Sequence, residues 1–455
     1  MKADPGAQRI ELVDLDKVYQ REVKGRFQSL RKITNLALLA GYFLLPWFNW
    51  GPRPIVLFDL PERQFHILHM TFWPQDLFLL AFLLIIAAFG LFMVTVFAGR
   101  VWCGYTCPQT VWTQMFVWLE TRFEGPRHKR IRLDQAPWGF NKAWRKSAKH
   151  LSWMALATLT GLTFVGYFTP IRSLVPDLFQ GLANYQAYLW TGIFSVLTYL
   201  NAGWMREKVC LHMCPYARFQ SVMFDEDTKI VSYDPRRGEP RGKKNPNNTT
   251  GDCIDCGICV QVCPTGIDIR DGLQYECIGC ALCIDACDGI MDKLDRPRGL
   301  ISYTTENELL GKATHLLRAR LIGYAVAMVV MLGAFTTFLI LRSPVELSIE
   351  RDRGQLFSES KAGDIVNDFQ ISILNKKPVT LRYELAILGR PGAQLVAPEI
   401  IAVTSRERKT IAIQLEMAPE KVVQPRLPFT LEVRSLEPNP VQDALDSTFI
   451  GPKRW

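Results

Sequence analysis

Long uncharged apolar runs alternate with basic polar segments along the first two thirds of this 455-residue chain. The runs 33–50 (ending near Pro46), 77–99, 151–170, 178–205 (helical from about 188) and 321–341 are each long enough to cross a hydrocarbon core of roughly 30 Å. The last is bracketed by Arg320 and Arg342. Beyond Ser343 the period changes to two. Phe369, Ile371 and Ile373 alternate with polar residues, as do Val379, Leu381, Tyr383 and Leu385. Ile411, Ile413 and Leu415 repeat the pattern, and so do Phe429, Leu431 and Val433. Alternation of this kind predicts half-buried strands, and several in one stretch predict an immunoglobulin-like sandwich.

The expected fold class is therefore an α-helical membrane protein with five transmembrane helices and a C-terminal all-β sandwich. The division reads 1–32 N-terminal segment, 33–227 four-helix membrane domain, 228–318 soluble insert with its linker, 319–342 fifth helix, and 343–455 sandwich. Residues 228–250 read as the linker, with turn-rich Asp234-Pro235 and Lys243-Lys244-Asn245-Pro246. The sandwich carries no catalytic constellation, so docking or structure is its expected role.

Charge orients the chain. The formal net charge is +9, and its placement says more than its size. The loop 100–150 holds ten Lys and Arg, whereas 51–76 holds only Arg53 and Arg63, and 171–187 only Arg172. The positive-inside rule puts the N-terminus, with Lys2, Arg9 and Lys17, and loop 100–150 in the cytoplasm. The insert is then cytoplasmic and the sandwich lies outside. The basic balance points to a membrane surface, and no nucleic-acid motif appears. A cleaved signal peptide is not expected, because the first apolar run starts late and no small-residue cleavage site follows. Asn247-Asn248-Thr249 fits a glycosylation acceptor but means nothing in a cytoplasmic loop.

All twelve cysteines fall into patterns. Cys253, Cys256, Cys259 and Cys263 form one C-x2-C-x2-C-x3-C run, and Cys277, Cys280, Cys283 and Cys287 form another. This is the two-cluster bacterial ferredoxin spacing, in which the fourth thiolate of each run ligates the other cluster. Cys253, Cys256, Cys259 and Cys287 are expected to hold one [4Fe–4S] cluster, and Cys277, Cys280, Cys283 and Cys263 the second. Zinc would leave half of the repeat unused, and nothing marks the segment as a secreted disulfide framework. Asp288 stands where Pro usually follows the last cysteine.

The other four cysteines form two C-x3-C-P motifs, Cys103/Cys107 and Cys210/Cys214, each after an even-numbered helix. A Met-Phe pair follows each, at Met115-Phe116 and Met223-Phe224, so the membrane domain reads as a duplication. Pro108 and Pro215 suit the first position of a helix, making Cys107 and Cys214 candidate caps with lowered thiol pKa. Soft thiolates favour Cu(I), with Met213 and His212 as further ligands. A dithiol/disulfide shuttle, four-cysteine zinc and simple burial are the competing readings. His66, His69 and Met70 read as an interfacial segment with incidental histidines, and Trp102, Trp112 and Trp204 as an aromatic belt.

These motifs, the fifth helix and the sandwich together resemble the cytochrome c oxidase accessory proteins called CcoG, FixG or RdxA. The resemblance covers essentially the whole chain. It implies a cupric reductase in the bacterial inner membrane that serves assembly of cbb3-type cytochrome oxidase. Cys103, Cys107, Cys210 and Cys214 would be its copper or redox site. The implied partners are a cytoplasmic electron donor, a copper-transporting ATPase and oxidase assembly factors, with room for a homodimer. Two other readings stay open: a quinol dehydrogenase relay resembling NapH, and a redox-sensing assembly scaffold.

Overall fold

The computed structural model describes residues 17–242 and 251–452, apart from Pro52, Leu316, Arg353, Pro378 and Asn439. Expectations for Lys2, Arg9 and the 243–250 stretch, including its glycosylation match, lie outside the described residues. Two compact units emerge, Met1–Gly333 and Ala334–Trp455.

Helices stand at all five apolar runs: Arg26–Leu44, Leu77–Ala98, Phe140–Val165, Tyr185–Thr198 and Ala319–Ile340. Two segments, Pro74–Ala98 and Ala319–Ile340, are long and apolar enough to cross a membrane. The others depart from the sequence expectation. The first starts at Arg26, within the polar segment, because Asp285 caps it from a distance: its carboxylate accepts the N–H groups of Phe27 and Gln28. The third carries Lys142, Arg145, Lys146 and Lys149 on its first half. The fourth gives way after Thr198 to a π-helical stretch, Tyr199–Met205.

The basic loop folds into helices Pro108–Glu124 and Arg127–Gln135. Glu120 is fully buried and binds Lys17, Arg130 and Arg206. Burial pushes its carboxyl up, but Arg206, Lys17 and Arg130 outweigh that and hold it down at about 2. Glu124 pairs with Lys146 and Lys149. This buried network ties the N-terminal segment, the three helices of the 108–165 stretch and the end of the π-helical stretch together, a structural use of the loop's charge.

The expected linker is partly a sheet. Strand Ile230–Tyr233 pairs antiparallel with Ile301–Thr304 and buries Val231 and Tyr233 against the cysteine-rich core. The run Ile-Val-Ser-Tyr is β-prone and closed by Asp234-Pro235, so its neighbouring turn residues masked it.

The second unit is a two-sheet sandwich. One sheet orders Ala393–Val396, Arg408–Met417, Ile365–Asn375 and Val345–Arg351, with Ser358–Glu359 on the third. The other orders Ile401–Val403, Leu381–Leu388, Arg426–Ser435 and Gln442–Ile450. Phe369, Ile371, Ile373, Ile413, Leu415, Phe429, Leu431 and Val433 all enter its core, as alternation requires. Val379 does not; it is exposed and precedes its strand.

Candidate functional site

Two cavities open within the cysteine-rich segment. Cys253, Cys256, Cys259 and Cys287 line the first. Cys263, Cys277, Cys280 and Cys283 line the second, with Cys259 at its border. Each loop is wound the same way. Asp255 and Gly279 hold φ values of 56° and 66°, and Gly257 and Ala281 hold 63° and 59°. These are equivalent positions, and left-handed backbone at Asp255 and Ala281 costs on the order of 1 kcal/mol each. Such turns aim successive N–H groups inward, as thiolate-bound clusters require.

The donor chemistry fits iron. Burial pushes the Cys277 and Cys287 thiols up to about 12 and Cys259 to about 11. Protein alone keeps them protonated; only bound cations stabilise so many buried thiolates. Cys256 alone of the eight is exposed. Pro264 follows helix Ile258–Val262, whereas Asp288 lies inside Leu282–Met291, which runs on past Cys287. The aspartate accepts the N–H of Gly299 and so holds the following loop.

The two C-x3-C-P motifs share a backbone plan. Gly99 and Arg206, each four residues before the first cysteine, have φ of 57° and 45°. Cys107 and Cys214 each cap a helix that starts with proline. Their N–H groups donate to the carbonyls of Trp102 and Val209, at 2.9 and 2.8 Å. The halves also interlock. Gln109 donates to the carbonyls of Asn201 and Arg206, while Tyr216 and Gln220 both reach Thr95. This brings the four thiols near enough for Cys103 and Cys210 to feel the charge of the other motif. Burial pushes Cys103 up to about 11 and Cys210 to about 12. They occupy the turn before the cap and do not receive the helix N–H groups.

His212 and Met213, on the same turn, are exposed. His66 is buried in a small sheet beside Arg53 and Thr71, a packed structural histidine. Among the described residues, no three His, Cys, Asp or Glu side chains converge closely enough to hold a single metal ion.

A close backbone approach joins the two cysteine systems. Cys103 packs into the small core of Ile278, Cys280 and Leu282. A Cβ at Gly104 would lie 2.9 Å from Cys280 Cα and from the Ile278 carbonyl oxygen. Tyr105 Oη donates to the Cys280 carbonyl at 3.3 Å. Two buried arginines flank this seam. Arg31 Nε donates to the Gly104 carbonyl at 3.1 Å. Arg100 Nε donates to Gln220 Oε1 at 3.1 Å, and its Nη1 to the carbonyls of Tyr275 and Cys277. Gln220 Oε1 also accepts from Cys103 Sγ at 3.1 Å. Sequence reasoning missed Arg31, Arg100, Gly104, Tyr105 and Gln220. The one available signal was that Arg100 and Gly104 flank Cys103; both arginines read as topology charges.

Residues 205–306 match the family described as 4Fe-4S dicluster domain, and 80–126 the 4Fe-4S binding domain. Residues 335–452 match the IG-like fold at the C-terminal of FixG. The chain is 38% identical to the nitrogen fixation protein FixG of Rhizobium meliloti (strain 1021), over 91% of this chain and 86% of that one. It is 39% identical to protein RdxA of Cereibacter sphaeroides, over 82% of this chain and 83% of that one. Protein RdxB of the same organism is 38% identical, over 86% and 87%. With cysteine cavities, duplicated thiol turns and sandwich all falling within matched stretches, the chain belongs to the FixG/RdxA family of iron–sulfur oxidoreductases.

Proposed function

We propose that this protein passes electrons through two [4Fe–4S] clusters to the thiols of Cys103, Cys107, Cys210 and Cys214, where Cu(II) is reduced to Cu(I) for assembly of a cbb3-type cytochrome oxidase. The observation that carries the reading is the seam itself: the backbone of Gly104 rests on that of Cys280, with nothing between. When bound, each cluster takes and gives one electron. Cys253, Cys256, Cys259 and Cys287 hold one, and Cys263, Cys277, Cys280 and Cys283 the other. Exposed Cys256 marks the side from which a cytoplasmic donor delivers electrons. Cys103 lies at the exit, hydrogen-bonded to Gln220 and packed on the second loop. Each Cu(II) takes one electron, and the resulting Cu(I) is the form that soft thiolates retain. A copper-transporting ATPase and oxidase assembly factors would receive it.

The proposed setting is the bacterial inner membrane with five crossings, the cluster region cytoplasmic and the sandwich periplasmic. A phosphatase fused after Arg351 is expected to be active, and one fused after Lys293 inactive; the reverse pattern would overturn the orientation and with it the direction of flow.

The copper step is tested by a Cys107→Ala, Cys214→Ala double variant with its iron content verified. Reduced variant and wild type are mixed with limiting Cu(II), and Cu(I) is followed with a specific chelator. Loss of Cu(I) production, together with poor oxidase assembly under scarce copper, is the expected result. Wild-type behaviour in both assays would make these cysteines structural and place the reductase site elsewhere.

A further inference from the structure

We infer that the buried guanidiniums of Arg31 and Arg100 make the cluster site of Cys263, Cys277, Cys280 and Cys283 the more easily reduced of the two, and so direct electrons from the Cys253 site toward the Cys103 turn. The inference rests on the relay reading above and adds its polarity.

The charge around the two sites differs in kind. Arg31 is 4% and Arg100 5% exposed. Arg31 binds the Gly104 carbonyl, and Arg100 binds Gln220 and the Tyr275 and Cys277 carbonyls and lies beside the Cys103 thiol. Among the described residues neither forms an ion pair with a carboxylate. Two acids stand near this region, each engaged by something other than these arginines: Asp285 accepts the backbone N–H groups of Phe27 and Gln28, and Glu276, next to Cys277, binds Tyr275. Cys280 and Cys263 feel the Arg31 charge, and Cys277 feels Arg100. At the Cys253 site the corresponding cation is Arg270, but it is cancelled. Asp268 and Asp255 bind it at 2.6 and 2.5 Å. Asp288 adds a negative charge beside Cys287.

Reduction adds one negative charge to whichever site receives the electron. An unpaired cation stabilises that charge; a neutralised one does not. Burial acts the other way. The Cys277 site is drier than the Cys253 site with its exposed Cys256, and dry surroundings disfavour added charge. The same low dielectric leaves Arg31 and Arg100 unscreened, however, and two whole charges set against carbonyl dipoles outweigh the penalty. A single electron moves between the sites, supplied by a one-electron reductant. No bond forms or breaks and no proton moves.

Arg100 carries the polarity one step further. Its guanidinium holds Gln220 Oε1 and the Cys277 carbonyl at once, and Gln220 in turn accepts from Cys103. It is a positioning residue for the seam as well as a potential-setting one.

The test is an EPR-monitored redox titration of the full chain, purified anaerobically in detergent and checked for iron. Wild type is expected to show two separable reductions. Cys256→Ser, at the exposed ligand, should alter the spectrum of the harder one to reduce. Arg31→Gln and Arg100→Gln should each make the easier site harder to reduce, by at least about tenfold in the intercluster equilibrium, or 59 mV for one electron. Arg100→Lys should restore most of the shift, and Arg270→Gln should leave the easier site in place. The proposal falls if the glutamine variants shift neither site or only the harder one. Should those variants fail to load iron, the wild-type order decides: a Cys256→Ser change in the easier signal overturns the proposal. Copper is absent from this experiment, so its failure leaves the copper reading standing, and the converse holds.

Discussion

Purified anaerobically with both sites loaded, the chain is expected to carry about eight irons and eight sulfides, all within 253–287. Cys280→Ser is expected to remove most of one cluster's signal and to leave the other. The reason is local. Cys280 is buried, its carbonyl is held by Tyr105, and its backbone lies against Gly104. A serine there offers a harder oxygen donor in a pocket with no room to rearrange. The Cys253 cavity shares none of these contacts. Iron and acid-labile sulfide analysis, with EPR of the reduced variant, reads the result. An iron content near four in fully reconstituted wild type would defeat the two-cluster assignment.

Gly104→Ala is expected to have the second-largest effect, and it separates the seam from the clusters. Gly104 sits in ordinary helical backbone, so alanine costs nothing there conformationally. The cost is steric. The added methyl meets Cys280 Cα and the Ile278 carbonyl, both backbone, and neither can swing aside. Overpacking of this kind typically costs about 1–3 kcal/mol, relieved by pushing the two loops apart. Iron content should stay near wild type while electron delivery to the thiol site drops several-fold. Stopped-flow oxidation of the reduced protein by an acceptor that needs the thiols would show it. An unchanged rate would mean that electrons do not leave through this seam.

Much of the chemistry was legible in the chain because its rules are local. Thiolate spacing over a dozen residues sets which sulfurs one loop can present, and the structure gathers them around two cavities. Period-two alternation at four places between 369 and 433 found four of the strands for the same reason: neighbours along a strand face opposite ways whatever lies beyond it. Proline after Cys107 and Cys214 marked two helix starts correctly. Reading failed where a long-range partner overrode local preference. The first helix begins early because Asp285, remote in sequence, caps it. The linker became a strand because Ile301–Thr304 was there to pair with it.

By itself, then, the sequence determined the ligand types, their spacing, the sandwich and the duplicated thiol turns, since each depends on residues within a few turns or strands of one another. Tertiary structure alone decided what those groups do together. Arg31 reaches Gly104 across 73 positions and Arg100 reaches Gln220 across 120, contacts with no signature in either neighbourhood. A basic residue at the end of an apolar run looks the same whether it meets lipid headgroups or turns inward. Which it does depends on whether packing leaves a buried, carbonyl-lined slot for its charge. Here it does so between the Cys103 turn and the Cys280 loop, where Arg31 and Arg100 meet the Gly104 and Cys277 carbonyls.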